Sequence, residues 1–436
     1  MRRSYSRRSL LFVAAAGTAL TVTSCAFPGS TPYVPVLVAT FNDPEKPGEE
    51  PASSRLRDFA RALNADRDHR VVQPVNFPLV RGTAGVDIVA TITQASSAGS
   101  RRQADVVVQV PDAQSVRELA RAGLLEPVEA RIASDASLQP SAYWPGTMAT
   151  VTVGAHIYGL PLAVHPLMVV YDMRLIQQAG LQPPADGWTW EQFVGLAASM
   201  TRRVGTRVVQ WGFEASSPYL LPLLASQGDS TISGQSGGEW LKLPASTDAC
   251  RFVQSLATEH QIVRVPAPTL PISSPAYTAR GMTLADGTPV AMTLTPNPEN
   301  AIASLPAPSP LRAVRPPGGT RNITLAIDGD VLALLSGSRG ALGTTGVLVS
   351  LARDAPRGRL VSALKNGASH VDPMLTHLAT TDTDAMVVAM PYAEPAPLLT
   401  SRQRTILLEQ LQKPILSGQS LAMAIAQTVR ALAQSG

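Results

Sequence analysis

The stretch from residue 158 to residue 203 constrains the fold of this chain more than any other. It contains a Tyr-Gly-Leu-Pro sequence at 158–161 and an apolar, β-branched run at 164–171 that His-Pro interrupts at 165–166. Because proline is accepted in a sheet only at an edge or a bend, the run predicts a strand that bends where it leaves one sheet. We therefore expect this strand to cross between two lobes.

Two helices are predicted after this strand. Residues 173–179 have helical composition and end on Gly180, which suits a left-handed cap, and a Pro-Pro pair soon after forbids continuation. Thr189 is placed to cap the next helix, and Gln192 three residues later completes a capping box. Phe193 then begins the apolar stripe that this helix buries.

The order of these elements resembles the extracellular solute-binding proteins of ABC importers, specifically the carbohydrate-binding, maltose-binding-protein-like family. In that family a Tyr-Gly-Leu-Pro segment carries the first crossing, and a Tyr-Asn pair, an Ala-Gly-Leu-x-Pro-Pro turn and a Trp-x-x-Phe helix follow. Asp172 stands here in place of the Asn. The resemblance implies an α/β fold of the type II periplasmic-binding-protein class, with two lobes that are joined by about three crossing segments and close by a hinge.

Weaker matches to the same family follow in the expected order over most of residues 100–436. They include a strand at 104–108 with its helix, a strand at 284–292, a Pro-Pro-Gly-Gly segment at 316–319 and the last helix. The resemblance implies a first lobe at 36–163 and 292–328, and a second lobe at 164–291 and 329–436.

The amino end has the pattern of a bacterial secretory signal, predicted at residues 1–24. Four arginines precede an apolar run at 10–22 that is too short to span a membrane, and no acidic residue comes before Cys25. The Arg-Arg pair at 7–8 resembles a twin-arginine signal, and the general secretory route stays open.

The Val-Thr-Ser-Cys sequence at 22–25 resembles a lipobox, so we expect lipidation at Cys25. The alternative is a signal that is cut elsewhere beside an ordinary cysteine. Because acylation with more than one chain anchors a protein stably, the expected location is the extracytoplasmic face of the cell membrane. Residues 25–35 are rich in Pro, Gly and Ser and would serve as a tether.

Removal of the signal makes the chain formally neutral, since its four arginines leave 32 basic and 32 acidic residues. This balance gives no reason to expect nucleic acid as a partner. Cys250 is the only cysteine besides Cys25, so no internal disulfide and no zinc pattern is available. We expect a buried role for Cys250, no cofactor, no metal and a monomer.

Three polar residues follow predicted strands of the first lobe. Asn42 and Asp43 come after the first strand, where the family places a loop that reaches the ligand, although a simple Asx turn is equally compatible. Asp112 lies at the carboxyl end of the strand near residue 105, where open α/β sheets bind ligands. A carboxylate there can accept two sugar hydroxyls, but Asp112 could instead cap the helix that follows.

The crossings supply further candidates. His165 lies at the bend of the first crossing and could contact the ligand or serve as a hydrogen-bonded hinge residue. The resemblance implies another crossing near residue 329, with Arg321, Asp328 and Asp330 around it. Asp328 is the ligand candidate of this group.

Aromatic residues that stack on sugar rings are scarce in this sequence, in which only 5% of residues are aromatic. The family often has a Gly-x-Trp soon after Met292, and this chain has a Pro-Asn-Pro sequence that contains Asn297 instead. Tyr219 is the best aromatic candidate on the second lobe, with a role in the core as the alternative, and Tyr392 is another.

These features predict a lipid-anchored receptor that captures a small polar solute for ABC permease subunits. A sugar or a polyol fits best. We do not expect the chain to be an enzyme. A secreted lipoprotein hydrolase is the alternative from another class, because Ser236 lies in a Gly-x-Ser-x-Gly sequence, but that sequence sits in a Ser/Gly-rich loop. A diverged scaffold that binds no transported solute is a third interpretation.

Overall fold

The computed structural model describes residues 36–42, 59–60, 72–82, 85–97, 105–233, 235, 238–265, 274–278, 281–305, 308–337, 342–354, 361–365 and 380–435. The predicted signal peptide and tether lie outside these residues. No helix among the described residues is both long and apolar enough to cross a membrane.

The strands are numbered along the chain. They are β1 (Val36–Asn42), β2 (Val72–Pro78), β3 (Val80–Gly82), β4 (Gly85–Asp87), β5 (Asp105–Val110), β6 (Leu125–Glu126), β7 (Thr152–Val153), β8 (His156–Ile157), β9 (Leu160–Pro161), β10 (Ala163–Pro166), β11 (Met168–Asp172), β12 (Arg202–Val204), β13 (Arg207–Glu214), β14 (Ala276–Thr278), β15 (Gly281–Thr283), β16 (Pro289–Thr295), β17 (Leu311–Val314), β18 (Thr324–Asp328), β19 (Val331–Leu335), β20 (Val361–Ser362) and β21 (Ala393–Pro395).

The helices are numbered in the same way. They are α1 (Ile88–Ser97), α2 (Ala113–Arg121), α3 (Glu129–Ile132), α4 (Thr147–Thr150), α5 (Met173–Gln178), α6 (Trp190–Met200), α7 (Leu220–Gly228), α8 (Pro244–Thr258), α9 (Pro298–Ala303), α10 (Leu342–Asp354), α11 (Thr380–Ala389), α12 (Ser401–Ile406), α13 (Lys413–Leu416) and α14 (Leu421–Ala433), with a π-helical segment at Leu407–Gln412.

The first lobe is built on a sheet with the strand order β2-β1-β5-β19-β6. β1 pairs in parallel with β2 and β5, and β19 pairs antiparallel with β5. Every residue of β5 is buried, as expected for a central strand that is covered on both faces. Val38, Val107, Leu119 and Leu348 belong to the core of this lobe.

The second lobe is built on a sheet with the strand order β12-β13-β16-β11-β17. Its core contains Phe193, Phe213 and Trp240, all at most 1% exposed. The predicted capping box at the start of α6 is present, since the side chain of Thr189 accepts the Gln192 N–H and the Gln192 side chain accepts the Thr189 N–H.

A third, smaller sheet with the order β20-β10-β18-β21 lies between the two lobes. β10 ends at Pro166, and β11 begins two residues later, at Met168, in the sheet of the second lobe. The predicted bend at His-Pro is therefore a change of sheet. Two segments on which the chain passes between the lobes are β9–β10 and β18–β19. The chain passes to the second lobe once more after Leu364, because Leu364 belongs to the core of the first lobe and Leu407 to that of the second.

In the last third of the chain, several strands belong to a different lobe from the one expected. β17 and most of β16 lie within 292–328, yet both pair with β11 in the second sheet. β19 lies beyond residue 328, yet it pairs with β5 in the first sheet. The reason is that the chain does not return to the first lobe at Met292. β16 is an internal strand of the second lobe, and the return comes only at residue 329.

Candidate functional site

The two crossing segments run side by side as an antiparallel ribbon, because β9 pairs with β19 and β10 pairs with β18. In the middle of the ribbon the N–H of Leu162 donates to the backbone oxygen of Asp330 at 2.8 Å. The backbones approach so closely at Gly329 that a Cβ atom there would lie 2.9 Å from the carbonyl oxygen of Ala163. Glycine therefore allows the ribbon that positions the residues around Asp330.

Asp330 lies at the edge of the first sheet where the parallel strands end. It precedes Val331, which pairs with Val110, the last residue of β5. Ligands of open α/β sheets bind at this edge. Asp330 is half-buried as a residue, and its side chain accepts a hydrogen bond from the side-chain amide of Gln109 on β5.

The Asp330 carboxyl group has a perturbed environment. Burial is the main cause, and it raises the pKa of Asp330 above its ordinary value. The hydrogen bond from Gln109 and the charge of His165 act in the opposite direction, whereas the neighbouring charge of Asp112 raises the pKa further. The Oε1 atom of Gln109 is buried and has no hydrogen-bond partner among the described residues. This edge therefore has unused acceptor capacity.

Asp112 follows β5 and caps α2. Its Oδ1 atom accepts the N–H of Ser115 at 2.7 Å. The capping role that the sequence allowed is therefore present in the structure. A carboxylate has two oxygens, so capping leaves acceptor capacity for a second contact.

His165 lies on β10 and faces a buried carboxylate. Its Nδ1 atom is 3.6 Å from the Oε1 atom of Glu299, which belongs to the first turn of α9. Glu299 is 2% exposed, and its Oε1 atom forms no hydrogen bond with any described residue. His165 therefore interacts with acidic groups on two sides, Glu299 on the second lobe and Asp330 beside the first sheet.

A second perturbed carboxyl group lies in the sheet of the second lobe. Glu214 is the last residue of β13 and pairs with Thr293 of the parallel strand β16, which leads to α9. Burial is the main cause that raises the pKa of Glu214 to about 7, while Arg264 lowers it and Asp286 raises it.

The site around Asp330 provides hydrogen-bond acceptors from Gln109, Asp112 and Asp330. It also provides one imidazole group, that of His165, between the two lobes. Carboxylates and amides of this kind bind hydroxyl and amino groups. No group of three or more His, Cys, Asp or Glu side chains among the described residues could hold a metal ion.

Comparison with known proteins identifies the family. The sequence model of the family described as bacterial extracellular solute-binding protein matches residues 75–357. The chain belongs to this family of solute-binding proteins. A search of curated protein sequences gives no significant match.

Solved structures of solute-binding proteins share the fold over nearly the whole chain. A sugar transporter from Rhizobium etli in an open conformation has a TM-score of 0.67 at 16% identity, covering 91% of this chain and 99% of its own. The sugar-binding protein MalE from Xanthomonas citri has a TM-score of 0.65 at 16% identity, covering 91% and 96%. A family 1 extracellular solute-binding protein from Alicyclobacillus acidocaldarius has a TM-score of 0.65 at 15% identity, covering 93% and 99%. The type II fold that the sequence predicted is confirmed.

Two aromatic candidates of this solute-binding protein have other contacts. Tyr219 is 6% exposed in the core of the second lobe, and Nη1 of Arg404 lies 3.4 Å from its hydroxyl group. This position matches the core role that the sequence allowed. Tyr392 is 41% exposed, and the guanidinium group of Arg315 lies 3.7 Å from the centre of its ring. Tyr392 thus retains surface area for a further contact.

For the remaining candidate ligand residues, the structure mainly shows where the backbone lies. Asn297 is exposed directly before α9, and its N–H donates to the hydroxyl group of Thr295 at 3.1 Å. Asn42 ends β1 opposite Pro78, and Asp328 ends β18 opposite Val164. Asp43, Cys25 and Ser236 lie outside the described residues.

Gln109 and Glu299 were not among the residues that the sequence singled out. Gln109 is the one polar residue in an otherwise apolar stretch at 106–110, and this interruption of a buried strand is a usable signal. Glu299 follows Pro298 at a helix start, a position that predicts only a favourable helix dipole. Its contact with His165 joins residues far apart in the chain, so no local pattern could predict it.

Proposed function

We propose that this solute-binding protein is a receptor that captures a small polar solute, a sugar or a polyol, and delivers it to an ABC permease. The solute binds between the lobes, at the edge of the first sheet, and the two lobes close on it about the paired crossings. The ligand set includes Asp112 and His165, to which we add Gln109 and Asp330.

One observation carries this proposal. Gln109, Asp112 and Asp330 are brought together at the carboxyl end of β5, and His165 of the first crossing lies beside them. Gln109 and Asp112 adjoin β5, whereas Asp330 and His165 belong to the two crossing segments, so the cluster exists only when the ribbon and the first sheet are assembled. A buried amide oxygen without a partner is costly, and a bound hydroxyl group would satisfy it.

The relatives support a carbohydrate as the solute. Structures of the same fold include a cyclo/maltodextrin-binding protein with maltotetraose, at a TM-score of 0.62 and 15% identity, covering 93% of this chain and 98% of that one. The family description and the predicted lipobox at Cys25 both support a location outside the cytoplasmic membrane. The permease partner follows from the same family relationship.

The hydrolase alternative is not favoured, because family and structural neighbours are binding proteins. Alanine at Ser236 would abolish an esterase activity if that interpretation were correct. The scaffold interpretation rests on the missing tryptophan after Met292 and predicts that no solute stabilises the protein.

Thermal unfolding of the full chain in mild detergent tests the proposal. The panel contains mono- and disaccharides, polyols, glycerophosphodiesters and amino acids. A solute at ~100 times its dissociation constant stabilises the folded state by about 2.7 kcal/mol, which shifts the midpoint readily. A shift of the midpoint with one class of sugar or polyol supports the receptor function and identifies the substrate class. The absence of any shift across the panel would favour the scaffold.

A further inference from the structure

We propose that Asp330, held in place by Gln109, selects solutes that carry a protonated amino group, such as amino sugars, over neutral solutes of the same configuration. The same cluster rejects solutes that carry a carboxylate. This inference rests on the proposed function and names the substrate class for that site.

Among the described residues, the cluster has buried hydrogen-bond acceptors without donors. The two buried atoms without a hydrogen-bond partner among its described residues are Oε1 of Gln109 and Oε1 of Glu299, and both are acceptors. Gln109 is 8% exposed, and its amide group already donates to Asp330. A solute that supplies donors completes this arrangement, whereas an additional carboxylate does not.

Acidic side chains outnumber basic ones among the described residues that interact in the cluster. Asp112, Glu299 and Asp330 supply three carboxyl groups, and His165 is the one basic side chain among the described residues that interact in this cluster. The Oε1 atom of Glu299 lies 3.6 Å from the Nδ1 atom of His165. The carboxyl group of Asp330 therefore lacks a close Lys or Arg partner within the described cluster, and an ammonium group of the solute would fill that role.

Binding of an ammonium group is linked to the protonation of Asp330. The pKa of Asp330 is raised mainly by burial, and Asp112 adds to the effect while Gln109 and His165 oppose it. An ammonium group beside the carboxylate lowers this pKa again, so an amino sugar should release protons when it binds near that pKa. A neutral sugar that donates a hydroxyl group has a much smaller effect. The linkage gives the proposal a signature that a purely structural role of Asp330 would lack.

Isothermal titration calorimetry of the full chain in mild detergent tests the proposal with matched sugars. The probes are glucose, galactose and mannose, each with its 2-amino-2-deoxy form and its uronate. For the configuration that binds, we expect the amino form to bind about tenfold more tightly than the hexose, since ~1.4 kcal/mol separates the two. The uronate should show no measurable binding. Titrations in two buffers with different ionisation enthalpies should show protons released by the amino sugar.

Two variants locate the effect. Asp330→Asn should bring the affinity ratio between amino sugar and hexose to about one and abolish proton release. Asp248→Asn removes the same charge from an exposed pair with Arg251, so it should leave the ratio unchanged. If Asp330→Asn does not fold, the wild type decides the question by its affinity ratio between amino sugar and hexose together with its proton release.

The outcomes separate the two levels of the proposal. Binding of a hexose without preference for its amino form, or equal affinity for its uronate, overturns the inference and leaves the receptor function intact. An amino preference that persists in a folded Asp330→Asn also overturns it. If no solute in this set or in the thermal panel binds, the receptor function itself fails.

Discussion

The Nδ1 atom of His165 lies 3.6 Å from the Oε1 atom of Glu299, and this pair joins the first crossing to the helix that follows β16. Glu299 is only 2% exposed, so water cannot easily take the place of His165 beside its carboxyl group. The same histidine interacts with Asp330 beside the first sheet. A side chain in this position can respond both to the arrangement of the lobes and to a bound solute.

A double-mutant cycle measures the strength of this pair. We expect His165→Asn and Glu299→Gln each to lower the free energy of unfolding, because each removes the electrostatic attraction between the imidazole group and a buried carboxyl group. The two changes together should cost less than their sum, with a coupling free energy on the order of 1 kcal/mol. Urea unfolding of the four proteins provides the measurement. Strict additivity would show that the two side chains do not interact in solution.

Glu214 gives the protein a specific dependence of stability on pH. Its pKa of about 7 in the folded state lies above the ordinary value of 4.5, so the folded protein binds this proton more tightly than the unfolded chain. The stabilisation is present below about pH 4.5 and is lost as the pH rises through about 7, by about 3 kcal/mol in total.

Glu214→Gln isolates that contribution because it keeps the shape of the side chain and removes the titration. Between about pH 5 and pH 8, urea midpoints should fall more for the wild type than for the variant, since the other groups titrate in both proteins. Parallel pH profiles of the two proteins would rule out a raised pKa at Glu214.

Gly212 permits the close packing of β13 on α6. A Cβ atom at this position would lie 1.9 Å from the carbonyl oxygen of Ala197. Gly212→Ala should therefore destabilise the protein by several kcal/mol, because backbone would have to move. Gly195→Ala on the exposed face of α6 is the matched control, since no atom lies within 4 Å of its added Cβ. The control should be neutral or stabilising by up to about 1 kcal/mol. Equal effects of the two substitutions would contradict this packing.

The predicted lipid anchor is tested by Cys25→Ser in a bacterial host. We expect the wild type to incorporate a labelled fatty acid and to sediment with membranes, because the lipobox sequence precedes Cys25. The variant should lose the label and should no longer depend on detergent for extraction. Label in the variant, or its absence from the wild type, would contradict lipidation at Cys25.

Local sequence signals predicted the local structure of this chain well. The capping box at Thr189 and Gln192 and the bend at His-Pro follow from residue types and spacings within a few positions, whereas the strand at 104–108 was implied by the family resemblance. The two-lobe fold followed from the order of weaker matches, and the family comparison confirms it.

The lobe boundaries and the site depended on contacts between distant residues. An apolar run such as β16 can pair with strands of either lobe, and its spacing does not say which. The contacts of Asp330 with Gln109 and of His165 with Glu299 likewise join segments more than a hundred residues apart. The aromatic character of Tyr219 was evident in the sequence, but its burial depended on how α7 packs.

Isothermal titration of His165→Ala tests the central claim most directly. The solute is the one that raises the unfolding temperature of the wild type, and the thermal midpoint of the variant shows that it is folded. Because His165 lies where the first crossing meets the cluster around Asp330, we expect its loss to weaken binding by about tenfold or more, which corresponds to ~1.4 kcal/mol. Unchanged affinity in a folded variant would show that the solute binds elsewhere and would contradict the proposed site.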